Sequence, residues 1–489
     1  EGIPVDTLLY GNETRPTTGW EGAAAQLYTR GDIPRAGQIW YRKPDPESGL
    51  PIDSDTAQDW SGDLTDLMWG RQVWMPGWQG WDDAPATRVQ PLSTTATVTV
   101  AVGPEGLYQP LATLLAGVEQ SLDLSLYTLE HRELTALIAG AAARGVAVRL
   151  LLEGSPPGGI SDFQKWCVAT IAAAGGDVRY LAVRDEAPNG YRPRYRFLHA
   201  KYGIVDGHRA FLGTENFGLD SMPVDTSAPV GGRRGFYLLI DAAPVVEGLQ
   251  QLFLTDWAPD RFLDLYPFTA GHEKYGGPPD EFVFPEPSLY PVTVSPFRDA
   301  VVIQGEGQFA LLSAPENAMR PDRGIHALIA QAGAGDAIYV MQLYEHKHWG
   351  DSVSNPVADP NPRLAALINA ARRGAQVTIL LDSYFDDADA LRSNQATVEY
   401  VNLVAATENL ALEARVGNPT LGGIHAKLFL FRLGDHYWSA VGSLNGGEVS
   451  HKLNREVTLL TDLPGVYRRL LAVFEWDWAM QSTLISAKG

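Results

Sequence analysis

This sequence is most strongly constrained by a short polar motif that occurs twice. Both copies contain the same residue types in the same order, namely His199, Lys201 and Asn216 in the first and His425, Lys427 and Asn445 in the second. In each copy the asparagine closes a Gly-x-x-Asn segment downstream of the His-x-Lys pair. Two matched occurrences are rare by chance, because each residue type is a small part of the chain. The chain is therefore expected to fold as two related halves that each carry one copy.

The segments around the motif also repeat, as an alternation of strands and helices. Hydrophobic periodicity predicts first-half strands at 98–101, 122–127 and 146–152 and helices at 111–120 and 134–145. The second half has predicted helices at 325–332 and 364–374 and strands at 338–344 and 377–381. Four residues near the end of each half recur at a constant offset: Arg234, Phe253, Asp256 and Trp257 correspond to Arg455, Phe474, Asp477 and Trp478. This order predicts an α/β sheet layered between helices in each half.

Composition divides the chain into four segments. Residues 1–95 hold seven of the 13 tryptophans and many Gly and Pro residues, which predicts a small irregular or β-rich appendage. The two repeats are expected at 96–257 and 298–489, and the Pro- and Gly-rich stretch 258–297 is interpreted as a linker. The predicted architecture is thus two α/β/α sandwich repeats related by a pseudo-twofold axis behind that appendage.

Each copy of the motif opens a predicted β-hairpin. Asp206-Gly207 and Gly434-Asp435 are the turn signals of the two hairpins. Strand alternation places the His and Lys of each copy on the same face of their strand. Two halves packed about a pseudo-twofold axis would bring both His–Lys pairs into one site, as an isologous dimer does.

Such a site has the groups required for chemistry at a phosphodiester. One imidazole attacks phosphorus and forms a covalent phosphohistidine, while the other protonates the leaving oxygen and then activates water. Two lysine ammonium groups and two asparagine amides would hold the non-bridging oxygens and their growing charge. Because fixed cations and amides supply that charge, neither a metal nor another cofactor is expected.

These residues closely resemble the signature of the phospholipase D superfamily, His-x-Lys-x4-Asp followed by Gly-Ser-x-Asn. The resemblance covers about residues 96–489 and implies a phosphoric diester hydrolase. It implies that one of His199 and His425 is the nucleophile and the other the general acid/base, and the usual order of two-motif members favours His199 as nucleophile. The phosphate ligands that it implies are Lys201, Asn216, Lys427 and Asn445.

Supporting positions depart from that signature in the second copy. Asp206 stands at the signature position of the first copy, whereas the second has Arg432 there and Asp435 three residues later. A longer second hairpin explains this shift, and since both aspartates adjoin a glycine, turn formation is favoured over phosphate binding. Thr214 replaces the usual serine in the first copy, and Ser443 retains it in the second.

Members of the superfamily also have a downstream acid that orients the histidine. Glu456 fits this role for His425, but the aligned position in the first half is Gly235. The first-half histidine is therefore expected to use another acid or to have none. The candidate acids in that half are Asp220 and Asp225.

Aromatic and polar residues follow the first strand after each repeat begins. They are Tyr127 and His131 in the first half and Tyr344 and His346 in the second. The carboxyl ends of strands border the ligand crevice in open α/β sheets, so these side chains are hypothesised to line the substrate entrance. Ordinary surface loops are the alternative interpretation.

The N-terminal segment carries two weaker signals. Residues from Asp53 to Asp59 have oxygen-ligand spacing loosely like a calcium loop but lack its central Gly and terminal Glu, so no metal site is assigned. Packing of a small β module explains the tryptophans better than a carbohydrate- or surface-binding face. Residues 36–60 faintly resemble the end of a lamin-tail-like domain found in some bacterial secreted proteins, which favours a secreted over a cytoplasmic location.

Charge bears on the substrate class. The formal net charge of −20 works against attraction to a nucleic-acid backbone, so phospholipid hydrolysis or transfer is favoured. Cleavage of single-stranded nucleic acid is the first alternative, and a degenerate scaffold or adhesion module is the second. A candidate basic groove that suits either substrate contains Arg192, Arg194 and Arg196. The single cysteine excludes an internal disulfide, no apolar run reaches membrane-span length, and a monomer with an internal pseudo-dimer is expected.

Overall fold

The computed structural model of the protein describes the two repeats almost continuously and the N-terminal segment in part. The described residues are 7–11, 15–25, 42, 52–60, 91–187, 191, 193–225, 231–258, 262–285, 296–319, 323–350, 354–388 and 390–486. Arg192, most of the lamin-tail-like stretch and Trp40, Trp69, Trp74, Trp78 and Trp81 lie outside them.

The first half alternates strands and helices. Its strands are β1 (Leu92–Val102), β2 (Ser121–Leu126), β3 (Leu129–Glu130), β4 (Ala147–Glu153), β5 (Asp177–Leu181), β6 (Tyr202–Val205), β7 (Arg209–Gly213), β8 (Phe217–Gly218), β9 (Gly232–Arg234), β10 (Phe236–Ile240) and β11 (Leu265–Pro267). Its helices are α1 (Tyr108–Ala116), α2 (Arg132–Ala143), α3 (Asp162–Ala173) and α4 (Ala243–Asp256).

The second half repeats this order. Its strands are β12 (Val301–Ala314), β13 (Ala337–Gln342), β14 (Gln376–Asp382), β15 (Leu412–Gly417), β16 (Leu421–Ile424), β17 (Lys427–Leu433), β18 (His436–Gly442) and β19 (Glu456–Thr461). Its helices are α5 (Gly324–Gln331), α6 (Pro362–Arg372), α7 (Asn394–Glu408), α8 (Glu448–Lys452) and α9 (Pro464–Ser486). The predicted α/β class is confirmed, and β6–β7 and β17–β18 are the two predicted hairpins.

Fifteen of these strands form one continuous sheet, in the order β11-β5-β4-β2-β6-β7-β10-β1-β12-β19-β18-β17-β13-β14-β15. The order is symmetric about the antiparallel β1–β12 pair, apart from the extra edge strand β11. The halves therefore share a sheet, whereas the sequence predicted a separate sheet in each. Pairing β1 with β12 gives each half a partner for a strand that would otherwise be an exposed edge.

Equivalent helices in the two halves begin and end in the same way. The His131 side chain caps α2 by accepting the backbone N–H of Leu134, and the Asn361 side chain caps α6. Glycines with positive φ, Gly145 and Gly374, follow the last turns. The apolar face that α2 buries between these ends consists of Leu134, Ile138, Ala139, Ala141 and Ala142.

The largest buried cluster lies where the halves meet. Val98 of β1, Leu249 of α4, Leu459 of β19 and Leu470 of α9 all belong to it and are solvent-inaccessible. Burying a leucine side chain contributes roughly 1.5–3 kcal/mol. The hydrophobic core thus fixes the halves to each other as well as stabilising each one.

The described part of the 258–297 stretch packs on the first half. Strand β11 extends the sheet beside β5. A second core cluster lies within the first half and includes residues of its helices. The aromatic side chains of this stretch that belong to it or pack against it are Tyr266, Phe268, Tyr275, Phe282 and Phe284. The stretch therefore adds an edge strand and core side chains to the first half, in addition to connecting the two halves.

In the N-terminal segment, Trp20 and Trp60 form a small buried cluster. The Arg42 guanidinium lies 4.8 Å from the Trp60 ring centroid and 2.8 Å from the Asp53 carboxylate. Asp59 is 3.6 Å from the same guanidinium and accepts hydrogen bonds from Ser54. The calcium-like stretch thus surrounds an arginine, and no group of three or more His, Cys, Asp and Glu suited to a metal ion occurs within the described ranges. Across those ranges, no helix combines the length and apolar content needed to cross a bilayer.

Candidate active site

The two motifs occupy equivalent positions, immediately before and at the start of the hairpins β6–β7 and β17–β18. His199, Asn216, His425 and Asn445 line a single pocket of about 740 Å³ between the halves. The His199 backbone N–H donates to the carbonyl of Arg455, and that of His425 donates to the carbonyl of Arg234, each at 2.9 Å. The backbone of each histidine is thus bound by a carbonyl group of the opposite half.

Each imidazole contacts a carboxylate from that opposite half. His199 Nδ1 lies 2.9 Å from Glu456 Oε2, and His425 Nδ1 lies 3.2 Å from Glu215 Oε1. The expectation that Glu456 orients His425 is therefore corrected. Glu456 directly follows Arg455, whose carbonyl binds the His199 backbone, and this places the acid beside His199. Because a carboxylate accepts from Nδ1–H, Nε2 is the nitrogen left to face the pocket.

The acid beside His425 was missed in the sequence. Glu215 stands inside the Gly-Thr-Glu-Asn segment, where the second copy has Leu444. This difference between the two copies, an acid in one and an apolar residue in the other, is the sequence feature that could have identified Glu215. Asp220 instead pairs with Arg233 at 2.5 Å, and Asp225 is exposed, so neither expected acid serves His199.

Both motif lysines are buried beside their histidines. Lys201 Nζ donates to the His199 carbonyl and Lys427 Nζ to the His425 carbonyl, each at 2.6 Å. Burial lowers the pKa of Lys201 to about 7 and also lowers the pKa of Lys427. An anionic ligand would favour the charged form of both.

The imidazoles are neutral at neutral pH. Burial, together with the nearby lysine charges, lowers the pKa of His199 to about 4 and that of His425 to about 3. Burial opposes ionisation of Glu215, but His425, Lys427 and Arg233 outweigh it and lower the pKa of this carboxyl to about 2. The pocket thus presents an uncharged imidazole beside an ionised carboxylate.

The motif asparagines present polar groups to the pocket. The side-chain oxygens of Asn216 and Asn445 are buried, and no residue that the structure describes hydrogen-bonds to them. Asn454, which also lines the pocket, has the same feature. Buried polar groups normally have partners, so a polar ligand or water would satisfy these amides.

Three of the four predicted entrance residues line the pocket. The Tyr127 ring meets His199 edge-on at a centroid distance of 4.9 Å, and Tyr344 stacks on His346 at 4.9 Å. His131 does not line it: this side chain is buried, caps α2 and places Nε2 2.9 Å from the Met222 carbonyl. His131 lies four positions after Tyr127, whereas His346 lies only two after Tyr344, so His131 is farther from the end of its strand.

The four supporting residues lie outside the pocket lining. Asp206 accepts the backbone N–H groups of residues 119–121, and Asp435 is exposed in its hairpin turn. The hydroxyl oxygens of Thr214 and Ser443 accept the backbone N–H groups of Phe236 and Val457, each at 3.0 Å. The hydroxyls therefore join neighbouring strands beneath the pocket.

The predicted basic groove is not formed as expected. Arg194 is buried in an ion pair with Asp264, Nε to Oδ2 3.0 Å, and Arg196 is exposed beside Phe197. The arginines that line the pocket are instead Arg233 and Arg392. Arg233 belongs to the short strand β9 and Arg392 to a turn before α7, and neither segment has a sequence signal for a phosphate site.

Comparison with known proteins finds matches to both halves of the chain. A family model described as "Cardiolipin synthase, PLD-like domain" matches residues 111–257 and 338–478. Cardiolipin synthase A of Pseudomonas fluorescens (strain SBW25) is 28% identical over 331 residues, which are 68% of this chain and 57% of that protein. Cardiolipin synthase A of Pseudomonas aeruginosa (strain LESB58) is 22% identical over 431 residues, which are 86% of this chain and 74% of that protein.

A solved structure has a similar fold. The crystal structure of phosphatidylserine synthase from Haemophilus influenzae Rd KW20 superposes with a TM-score of 0.51 at 12% identity, covering 78% of this chain and 85% of that one. The chain spans 57% of the length of the P. fluorescens relative.

Proposed function

The chain belongs to the phospholipase D superfamily, and from this we propose that it is a phosphodiesterase acting through a phosphohistidine, with phospholipids as its substrates. The observation that carries the proposal is the pair of imidazoles in one pocket, each hydrogen-bonded through Nδ1 to a carboxylate of the opposite half. This arrangement leaves two Nε2 atoms for one phosphorus. Two buried ammonium groups beside them replace a metal as the source of positive charge.

We assign His199 as the nucleophile. Its Nε2 lone pair forms a bond to phosphorus while the bond to the leaving oxygen breaks, and His425 transfers its Nε2 proton to that oxygen. His425 then removes a proton from water, whose oxygen displaces His199 from phosphorus. A bound phosphate anion would raise the pKa of His425 from about 3, and the first proton transfer requires this rise because His425 must be protonated to donate.

Three observations support a lipid rather than a nucleic-acid substrate. The relatives are named cardiolipin synthase A, and cardiolipin is a phospholipid. The net charge of −20 repels a polyanionic strand. The pocket walls include the apolar rings Tyr127, Phe197, Tyr344 and Phe385, which suit a substrate with little charge beyond its phosphate.

The proposal predicts cleavage of a phospholipid in the presence of EDTA. The protein is incubated with fluorescent phosphatidylcholine or phosphatidylglycerol and, separately, with a fluorescent single-stranded oligonucleotide. Lipid cleavage is expected, and a primary alcohol should divert the product to the corresponding phosphatidyl alcohol. Acid-labile phosphate should be found on His199 by mass spectrometry after a rapid quench.

Matched histidine variants provide the controls. H199A and H425A should each lose at least about 1,000-fold in kcat, because each removes one half of the reacting pair. His208 lies in the turn of the first hairpin and His436 is the first residue of β18 after the turn of the second; both are exposed, so H208A and H436A should retain activity. Cleavage of the oligonucleotide alone would establish a nuclease instead, and no cleavage of any diester would favour a scaffold.

A further inference from the structure

The carboxylate beside His425 is held by several donors in a closed site. Glu215 is solvent-inaccessible. Oε2 accepts the Ser221 hydroxyl at 2.8 Å, and Oε1 lies 3.1 Å from the Thr214 hydroxyl and 3.2 Å from His425 Nδ1. Side-chain donors thus fix the carboxylate in one orientation toward the imidazole.

This carboxylate occupies the space that a side chain at position 235 would need. A Cβ placed on Gly235 would lie 1.9 Å from Glu215 Oε1 and 2.4 Å from its Cδ. The two residues are neighbours because Thr214 and Phe236 exchange hydrogen bonds between their strands. Gly235 has no positive φ, so the lack of a side chain is required by space and not by backbone conformation.

The second half has the opposite arrangement on the same pair of strands. Ser443 and Val457 exchange the same hydrogen bonds as Thr214 and Phe236. Here the residue aligned with Gly235 is Glu456, which carries the acid, and the residue aligned with Glu215 is Leu444, which packs in an apolar cluster. Each half therefore has one acid and one non-acidic residue at these two positions.

We propose that positions 215 and 235 are alternative locations for a single carboxylate that orients His425, and that this chain uses position 215, with Gly235 leaving the required space. The proposal rests on the proposed function, because Glu215 acts only through His425. Glu215 is thus a positioning residue: it holds the imidazole with Nε2 toward the phosphorus. An acid at both positions would place two carboxylates in contact.

Exchanging the two residues tests the proposal. E215L gives position 215 the residue found at 444, G235E gives position 235 the residue found at 456, and the double variant gives the first half the pattern of the second. We expect E215L to lower kcat about 100-fold while KM changes by less than about threefold. G235E alone should lower Tm, and E215L/G235E should regain Tm and at least about tenfold in kcat over E215L.

The activity outcome of the double variant decides the proposal. A folded E215L/G235E protein with no more activity than E215L would overturn it, as would an E215L protein with wild-type kcat. Circular dichroism and Tm establish folding. If the wild type cleaves no diester, the proposed function fails, whereas recovery of Tm in the double variant still tests the exchange of positions.

A substrate with a good leaving group tests whether Glu215 acts on catalysis through His425, and it does so without the double variant. p-Nitrophenolate leaves without protonation, so bis-p-nitrophenyl phosphate needs His425 mainly for the water step. E215L should release about one equivalent of p-nitrophenolate rapidly and then turn over slowly, and E456L should lose the rapid phase. If the histidines have the reverse roles, the two results are exchanged. Unchanged turnover by E215L would contradict a positioning role.

Discussion

The side chains around the expected phosphate position are polar or charged and almost completely buried. Lys201 and Lys427 are 1% and 2% exposed, and His425 is 6% exposed. Electrostatic interactions are stronger in such a site than in water. Glu215 and Glu456 already favour the charged form of both lysines. A bound phosphate anion would favour it further, so the site should bind an anion better than a neutral ester.

Acid should destabilise the protein through its neutral histidines. His199 and His425 have pKa values of about 4 and about 3 in the folded protein and near 6.5 when unfolded, so the unfolded chain binds more protons below pH 6.5. Stability should thus fall as pH decreases from 6.5 to 4, by on the order of 2 kcal/mol per histidine. Urea unfolding of H199N/H425N should show a smaller decrease over this range.

The H208N variant provides a control, since His208 is exposed in the first hairpin turn. Its stability should follow the wild-type pH dependence. Glu215, whose pKa is about 2 in the folded protein, loses its stabilising charge only below pH 4.5, so it does not contribute to the change in stability between pH 6.5 and 4.5. Equal slopes for wild type and H199N/H425N would contradict this account.

Hairpins β6–β7 and β17–β18 position the chemistry, and hydroxyl groups join them to the next strands. Thr214 is buried and its hydroxyl oxygen accepts the Phe236 N–H. Valine has a similar shape but leaves that backbone donor without a partner. Removing one partner of a buried hydrogen bond costs about 1–3 kcal/mol.

We therefore expect T214V to lower the free energy of unfolding by about 2 kcal/mol. The hydroxyl is retained in T214S, which matches Ser443 of the second copy, and this variant should lose less than T214V. Urea unfolding measures both. A T214V protein as stable as T214S would show that the hydroxyl does not contribute through this bond.

These elements were largely predictable from the sequence, but their partners were not. The hairpins could be located from the sequence because a turn is determined by residues that are close in the chain, here Asp206-Gly207 and Gly434-Asp435. The carboxylate partners depend on packing between the halves, so Glu456 was assigned to the histidine of its own half. Strand β12 also lacked a clear signal, since Gly305 and Gly307 interrupt its apolar pattern and Val302 is 66% exposed.

At the scale of the whole molecule, two reciprocal buried ion pairs lie between the halves. Arg234 Nε lies 2.8 Å from Asp477, and Arg455 Nε lies 2.8 Å from Asp256. Each pair joins one half to the other, which explains why these residues recur at a constant offset in the sequence. The same arginines provide the carbonyl groups that bind the histidine backbones.

R455M should strongly destabilise the protein, because it leaves Asp256 buried without its cation. Breaking a buried pair in this way costs about 3–5 kcal/mol. The exposed pair between Arg372 and Glu408 is a matched control, and R372M should cost at most about 1 kcal/mol. Urea unfolding compares the two variants, and similar losses would argue against a special role of the central pair.

The crossed hydrogen bonds between imidazoles and carboxylates have a consequence for how a substitution in one half acts on the other. Each half carries the histidine that it presents and the acid that the other half needs. A mutation at Glu215 therefore removes a hydrogen bond from His425, and one at Glu456 removes a hydrogen bond from His199. The orientation of each imidazole therefore depends on residues of both halves.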